Sequence, residues 1–466
     1  MVLVSLTTVL SFAATAVGHA SLSASSPSAG AKLATGPERV TLTFNEPVEV
    51  LRAKDVEVVD STGTPVSTEA VVTPGDARVV EMSLRSGLED GTYTVRYQVI
   101  GADSHVIPGV FVFGVGAGEL EEPFLAGAAT QGPSETSAWA VSSRLFELVA
   151  LGGLIGLLAF RWMVWSPAVS RTRGLEGEER DAALSWGRDS FWLGFGVLAL
   201  VAMIAEGYLL VVQSASALGV GVLTALRDAT GISQVLGNTE FGSFVQLRGG
   251  LLFLVFALGA ALFIREYGPS GTPRPAQASE GPLASAAIAV LLLAVAGGVA
   301  AQGHPRVAPF PLLQIGVQLI HLATVAVWIT GLALVVTVVL RVPRIAPDGG
   351  PALSAHLLAR FSKVALAVVA IAVLTGVIRS ASELSDPSEL WETGYGRSIV
   401  YKILLLCPIS LIALYNRRIV AALRAVQRPN GATLRLIRRT ASAELGLSAV
   451  IVVIASLLVA QVPGGP

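Results

Sequence analysis

Cysteine is all but missing: Cys407 is the sole one in 466 residues. That excludes an intramolecular disulfide, a cysteine-rich zinc site and a C-x-x-C-H haem attachment. Charge is scarce as well. Asp, Glu, Lys and Arg make up 14% of the chain, against roughly a quarter in an average soluble protein, so much of the surface meets something other than water. The 32 basic and 33 acidic residues leave a net charge of −1, which gives nucleic acid no net attraction to follow. No G-x-x-x-x-G-K-[ST] pattern occurs, so no ATP-driven motor is visible. What abounds is apolar: 53% hydrophobic residues and a mean hydropathy of +0.67.

The apolar content is unevenly spread. Residues 1–18 are small and apolar, and Ala16-Val-Gly18 supplies small residues at the −3 and −1 positions of a cut before His19; this pattern predicts a signal peptide. Residues 19–118 hold short alternating runs, Val40–Phe44, Val56–Val59, Ala70–Val72, Val79–Leu84, Tyr93–Val99 and Val110–Phe113, separated by turn signals such as Pro74-Gly-Asp76 and Glu89-Asp-Gly91. Period-two alternation at that spacing predicts an all-β, Ig-like sandwich. Residues 119–137 are acidic, small and turn-rich, the composition of a linker.

From 138 to 462 the chain carries eight apolar stretches, at about 139–160, 190–213, 245–264, 283–302, 311–340, 361–379, 397–415 and 443–461. Each meets the roughly 20 residues that a bilayer core demands, which predicts an all-α bundle of eight transmembrane helices. Arginines crowd the segments between spans one and two (Arg171, Arg173, Arg180, Arg188), five and six (Arg341, Arg344, Arg360) and seven and eight (Arg417 to Arg439). By the positive-inside rule those segments face the cytoplasm. The sandwich is then outside, in a multi-pass protein of a bacterial plasma membrane.

Five histidines punctuate the sequence. His19, at a free N-terminus, offers an α-amine and an imidazole to one ion, a chelate suited to Cu(II). Asp103-Ser-His105 adds a carboxylate and a second imidazole two residues apart, on one face if the segment is an extended strand. The bland alternative makes Asp103 and His105 solvating residues of a turn before Pro108-Gly109. The wider segment decides between them. His19 to Pro27, Val40-Thr-Leu-Thr-Phe-Asn-Glu-Pro47, Leu88 to Val95 and Ala102-Asp-Ser-His-Val-Ile-Pro-Gly109 resemble the CopC family of periplasmic copper-binding domains. The resemblance implies Cu(II) bound by His19, Asp103 and His105, with Glu46 as a further acidic position near the metal. Some members hold Cu(I) in a methionine-rich loop, whereas this module has only Met82, so a Cu(II)-only site is expected.

Ionisable groups inside a bilayer are functional candidates by default. His304 stands at the outer end of the fourth span. His321 lies ten residues into the fifth, about 15 Å along its helix, in a stripe with Gln314, Gln318 and Trp328. Both are expected on a transport pathway, as ligands for Cu(I) or Cu(II), with Met203 and Glu206 of the second span as lesser members. Interhelical hydrogen bonding is the plainer account of Glu147, Glu206, Gln213 and Glu444, and packing or solvation that of His356 and Cys407. Gln302-Gly-His304, His321 with Trp328, Arg360-Phe-Ser-Lys363, Leu374 to Arg379, Asn416-Arg-Arg418 and Ala443-Glu-Leu445 resemble the CopD membrane domain. CopC followed by CopD implies a fused copper-resistance or copper-transport protein, not an enzyme, that carries copper across the membrane, most naturally inward. Its partners are copper ions and the lipid bilayer, with a copper chaperone or electron donor compatible and nucleic acid not. Two other classes remain open: a membrane redox protein, with haem or cupric-reductase chemistry, and a copper sensor or store without flux.

Overall fold

A computed structural model describes residues 20–102, 104–126, 132–134, 136–268, 282–302, 310–384, 386–426 and 430–458. The alternating runs form nine strands: β1 (Leu22–Ser26), β2 (Lys32–Leu33), β3 (Arg39–Phe44), β4 (Val48–Glu49), β5 (Val56–Val59), β6 (Val71–Val72), β7 (Val79–Ser83), β8 (Gly91–Gly101) and β9 (Val106–Val115). They build two sheets, β1-β3-β7-β6 and β2-β9-β8-β4, with β5 also on β8. Alternation sets the register: Val40 pairs with Met82 and Leu42 with Val80, so all four turn into the space between the sheets beside Phe44, Val95 and Phe113. Three strands escape the alternation reading for a physical reason. β2 and β4 have two residues each, and β1 (LSASS) is mostly small and polar.

β8 is buried on both faces, as central strands are. One face, with Tyr93, Val95 and Val99, meets the core. On the other, Thr92 Oγ1 accepts from Glu121 N (2.9 Å), Thr94 Oγ1 accepts from Phe124 N (2.9 Å), and Arg96 donates to Ala126 O (2.6 Å) and pairs with Glu57. The acidic segment after the sandwich thus runs along β8.

Among the described residues, eight helices are long and apolar enough to cross a membrane: α1 (Ala138–Arg171), α2 (Gly177–Leu218), α3 (Glu240–Tyr267), α4 (Leu283–Ala300), α5 (Pro311–Val338), α6 (Gly350–Glu383), α7 (Gly394–Leu423) and α8 (Gly431–Leu458). Local chemistry sets several ends. Ser137 caps α1 and Thr239 caps α3 by accepting from the third backbone N–H beyond each, and Gly219 ends α2 in the left-handed conformation. Tight packing needs Gly156 on α1, where a Cβ would lie 2.6 Å from the Ala326 carbonyl of α5. One apolar cluster joins α1 to α4 around Leu154, Phe195, Val255 and Leu292. A second joins α1, α5, α6 and α8 around Val164, Leu332, Leu353 and Ile437.

The sandwich sits on the bundle. Gln98 of β8 donates to the Ala217 (2.6 Å) and Ser216 (3.3 Å) carbonyls at the end of α2, and Arg52 donates to Leu218 O (3.0 Å). The Glu49 carboxylate accepts from Glu240 N (3.2 Å) at the start of α3, where a helix N-terminus favours negative charge. Ile100 packs with Leu209, Phe241 and Val245 between these polar contacts.

Candidate metal centre and membrane polar sites

β8 and β9 are joined by a tight turn. Gly101 N donates to His105 O and Ser104 N to Gly101 O, both at 2.8 Å, and Ser104 has φ +70°. Ser104 and His105 therefore lie in the turn, between the strands β8 and β9. A left-handed Ser104 breaks the strand alternation just before His105. His105 is nonetheless buried, as is Glu46.

Backbone contacts bring three segments to this edge of the sandwich. Ala102 N donates to Pro47 O (3.1 Å), which ties the turn to the residue after Glu46. Asn45, just before Glu46, donates to Ser21 O (3.1 Å), and its Oδ1 accepts from Ser21 N (2.6 Å). Ala20 is anchored in the sandwich core. His19 and Asp103 lie outside the described residues, and among the described ones no three His, Cys, Asp or Glu side chains gather in a metal-holding group. From the bundle, Gln213 of α2 donates to Ser104 O (2.5 Å). The turn therefore rests on a membrane helix.

In the bundle, His321 Nδ1 lies 3.0 Å from both Ala372 O and Thr375 Oγ1. Thr375 donates its own hydroxyl proton to Ile371 O (2.7 Å), so both neighbours of Nδ1 act as acceptors. Nδ1 then carries the ring proton and Nε2 keeps its lone pair, the arrangement that orients a metal-binding imidazole. Gly376 leaves room for the ring, since a Cβ there would stand 3.3 Å from His321 Cε1. Arg379 and Lys402 lie close enough to act on the charge of His321, and Arg379 pairs with Glu383 at 2.8 Å. Gln314, from the predicted stripe on α5, accepts from Ser382 of α6 (3.3 Å). His304 lies outside the described residues.

Met203 and Glu206 part company. Met203 is 38% exposed on the outside of the bundle, whereas Glu206 is buried and held by a residue that sequence reasoning missed. Arg248, with no exposed surface, donates from Nε (3.0 Å) and Nη2 (2.6 Å) to Glu206 Oε1. Its Nη1 pairs with Glu147 of α1 (3.0 Å) and donates to Gln302 Oε1 (2.6 Å). The signal was there: a lone arginine inside the apolar run 245–264 must find a buried anion. Elsewhere, Asn416 donates to Glu444 (3.4 Å), His356 Nδ1 meets Thr172 Oγ1 (3.0 Å), and Cys407 is exposed.

Known proteins account for this arrangement in three blocks. Residues 22–116 match the CopC domain, residues 135–307 the copper resistance protein D-like N-terminal domain, and residues 355–458 copper resistance protein D, or CopD. The chain has the fused CopC–CopD architecture. A relative named copper transport protein CutJ, from Bacillus subtilis (strain 168), is 24% identical over 397 residues, 83% of this chain and 65% of that protein. Crystal structures of CopC from Methylosinus trichosporium OB3b (29% identity, 22% of this chain and 100% of that one, TM-score 0.20) and of PcoC, a methionine-rich copper resistance protein from Escherichia coli (25% identity, 21% and 98%, TM-score 0.19), resemble the sandwich.

Proposed function

We propose that the sandwich faces the outside of the cell, captures Cu(II) through the His19 amine and imidazole with Asp103 and His105, and hands copper to the bundle for passage inward. The meeting of segments 20–21, 45–47 and 101–105 at one edge carries this reading. Each of those segments adjoins or contains one of the proposed groups, and Glu46 supplies a buried carboxylate beside them. Removal of residues 1–18 as a signal peptide would free the His19 amine. The one methionine of the module, Met82, is sealed in the sandwich core, which leaves nitrogen and oxygen donors at the edge and so favours Cu(II) over Cu(I).

Seating of the turn on α2 through Gln213 supports direct delivery, since the edge that would hold copper touches the bundle. Farther along, His321 keeps Nε2 as a lone-pair donor and is our pathway residue in the second half of the bundle, with His304 as its proposed partner. The test is Cu(II) electron paramagnetic resonance of the full chain in nanodiscs, alongside total cell copper in a deletion strain complemented with each variant. His105→Ala should weaken Cu(II) binding by at least about tenfold. His321→Ala should leave binding intact and abolish the rise in cell copper. Unchanged binding in both His19→Ala and His105→Ala removes the site, and a fall in cell copper on expression of the wild type reverses the direction.

A further inference from the structure

The charges around Arg248 do not balance. Arginine stays protonated in any protein setting, so Arg248 brings one positive charge against the two negative ones that ionised Glu147 and Glu206 would bring. The side chains of Glu147 and Glu206 are 11% and 8% exposed, and Arg248 is sealed. An unbalanced charge in such surroundings is costly to bury, and like charges sharing one site favour a proton on one of them. Among the described residues, the charged groups gathered at Glu206 are Arg248 from α3 and Glu147 from α1, which meets the same guanidinium. The approach from α4 supplies the neutral Gln302, whose buried Nε2 has no hydrogen-bond partner among the described residues.

Position gives the imbalance a use. Glu206 lies seven residues before Gln213, two helical turns and about 10 Å below the residue that holds the Ser104 carbonyl. We propose that the Glu147–Glu206 pair, clamped around Arg248, is an exchangeable proton site that couples copper movement to a counterflow of protons. The pair gives up its proton as copper passes, and the negative charge left behind offsets one of the ion's positive charges. The proton belongs to the pair, because both carboxyls share one guanidinium. This coupling rests on the transport function proposed above, whereas the proton site itself does not.

A shared proton has a signature that a merely structural ion pair lacks. Replacement of either acid by Gln leaves one carboxylate fully balanced by Arg248, so Glu147→Gln and Glu206→Gln should each remove the titrating carboxyl. Infrared difference spectra of the copper-free full chain in nanodiscs, taken from about pH 5 to about pH 9, should show a carboxylic-acid C=O band in the wild type and in Glu206→Asp, and none in either Gln variant. No band in the wild type, or a band that survives both substitutions, overturns the proton site. Proteoliposomes given a copper gradient should move protons the opposite way, with that movement lost in both Gln variants. Copper flux without proton movement overturns the coupling. Absence of copper flux beside an intact band overturns the transport reading and the coupling with it, while the proton site stands.

Discussion

Leu42 of the sandwich has no exposed surface, and its strand neighbours Thr41 and Thr43 take the outer positions; in the bundle, Leu193, Leu283 and Leu312 expose 72%, 85% and 88% of theirs, while Arg248, Ser143 and Ser214 are sealed inside. Each module matches its outer surface to its own solvent, water in one and lipid in the other. A consequence follows for site-finding. In the sandwich, Asp55, Glu46 and His105 are the buried carboxyl and imidazole side chains among the described residues; Arg52 holds Asp55, and the other two stand at the proposed metal edge. In the bundle, buried polarity is the ordinary interhelical adhesive, and only an unbalanced charge separates the Arg248 cluster from the serines around it.

That contrast can be strained from both sides. Arg248→Leu should give the largest effect, about 3–5 kcal/mol, because the buried acid pair loses its cation. Thermal unfolding in detergent should show it, and adding Glu147→Gln and Glu206→Gln should recover most of the loss. If the triple variant stays as weak as the single one, packing and not charge holds this region. Next comes a matched pair of leucines. Leu42→Ala should cost about 3 kcal/mol through the cavity it leaves, and Leu193→Ala should stay within about 0.5 kcal/mol. Equal losses would mean that Leu193 faces protein after all. The smallest test concerns the seam between modules: Gln98→Ala should cost about 1 kcal/mol and raise amide exchange at the end of α2 without disturbing the sandwich core.

Much of this architecture is legible from residue pattern alone, because the two periodicities are strong where a single solvent acts on a long element. The eight spans appear at their apolar centres, yet α2, α6 and α8 begin 13, 11 and 12 residues before the runs 190–213, 361–379 and 443–461. Apolarity reports bilayer thickness, whereas helices such as Gly177–Trp186 continue on polar residues that water tolerates. The proposed metal edge is only half legible. Asp103 and His105 stand out by type, but whether they share a strand or a turn depends on Ser104 adopting a left-handed conformation, a choice left open by a serine. The contact of Gln213 with Ser104 O has no sequence signal at all, since it joins residues 109 positions apart through a backbone carbonyl.

The end of α2 has a bearing on biosynthesis. Its own cap at Gly219 and Val220 takes up the Ala215 and Ser216 carbonyls, whereas those of Ala217 and Leu218 take donors from Gln98 and Arg52. Those donors are made more than a hundred residues earlier in the chain. The ribosome therefore releases the sandwich before it releases the helix that the sandwich completes, and domains that emerge first generally fold first. The sandwich then serves as a template on which the second membrane helix finishes, and a chain whose sandwich folds late would deliver α2 to the bilayer with its Ala217 and Leu218 carbonyls still lacking those donors.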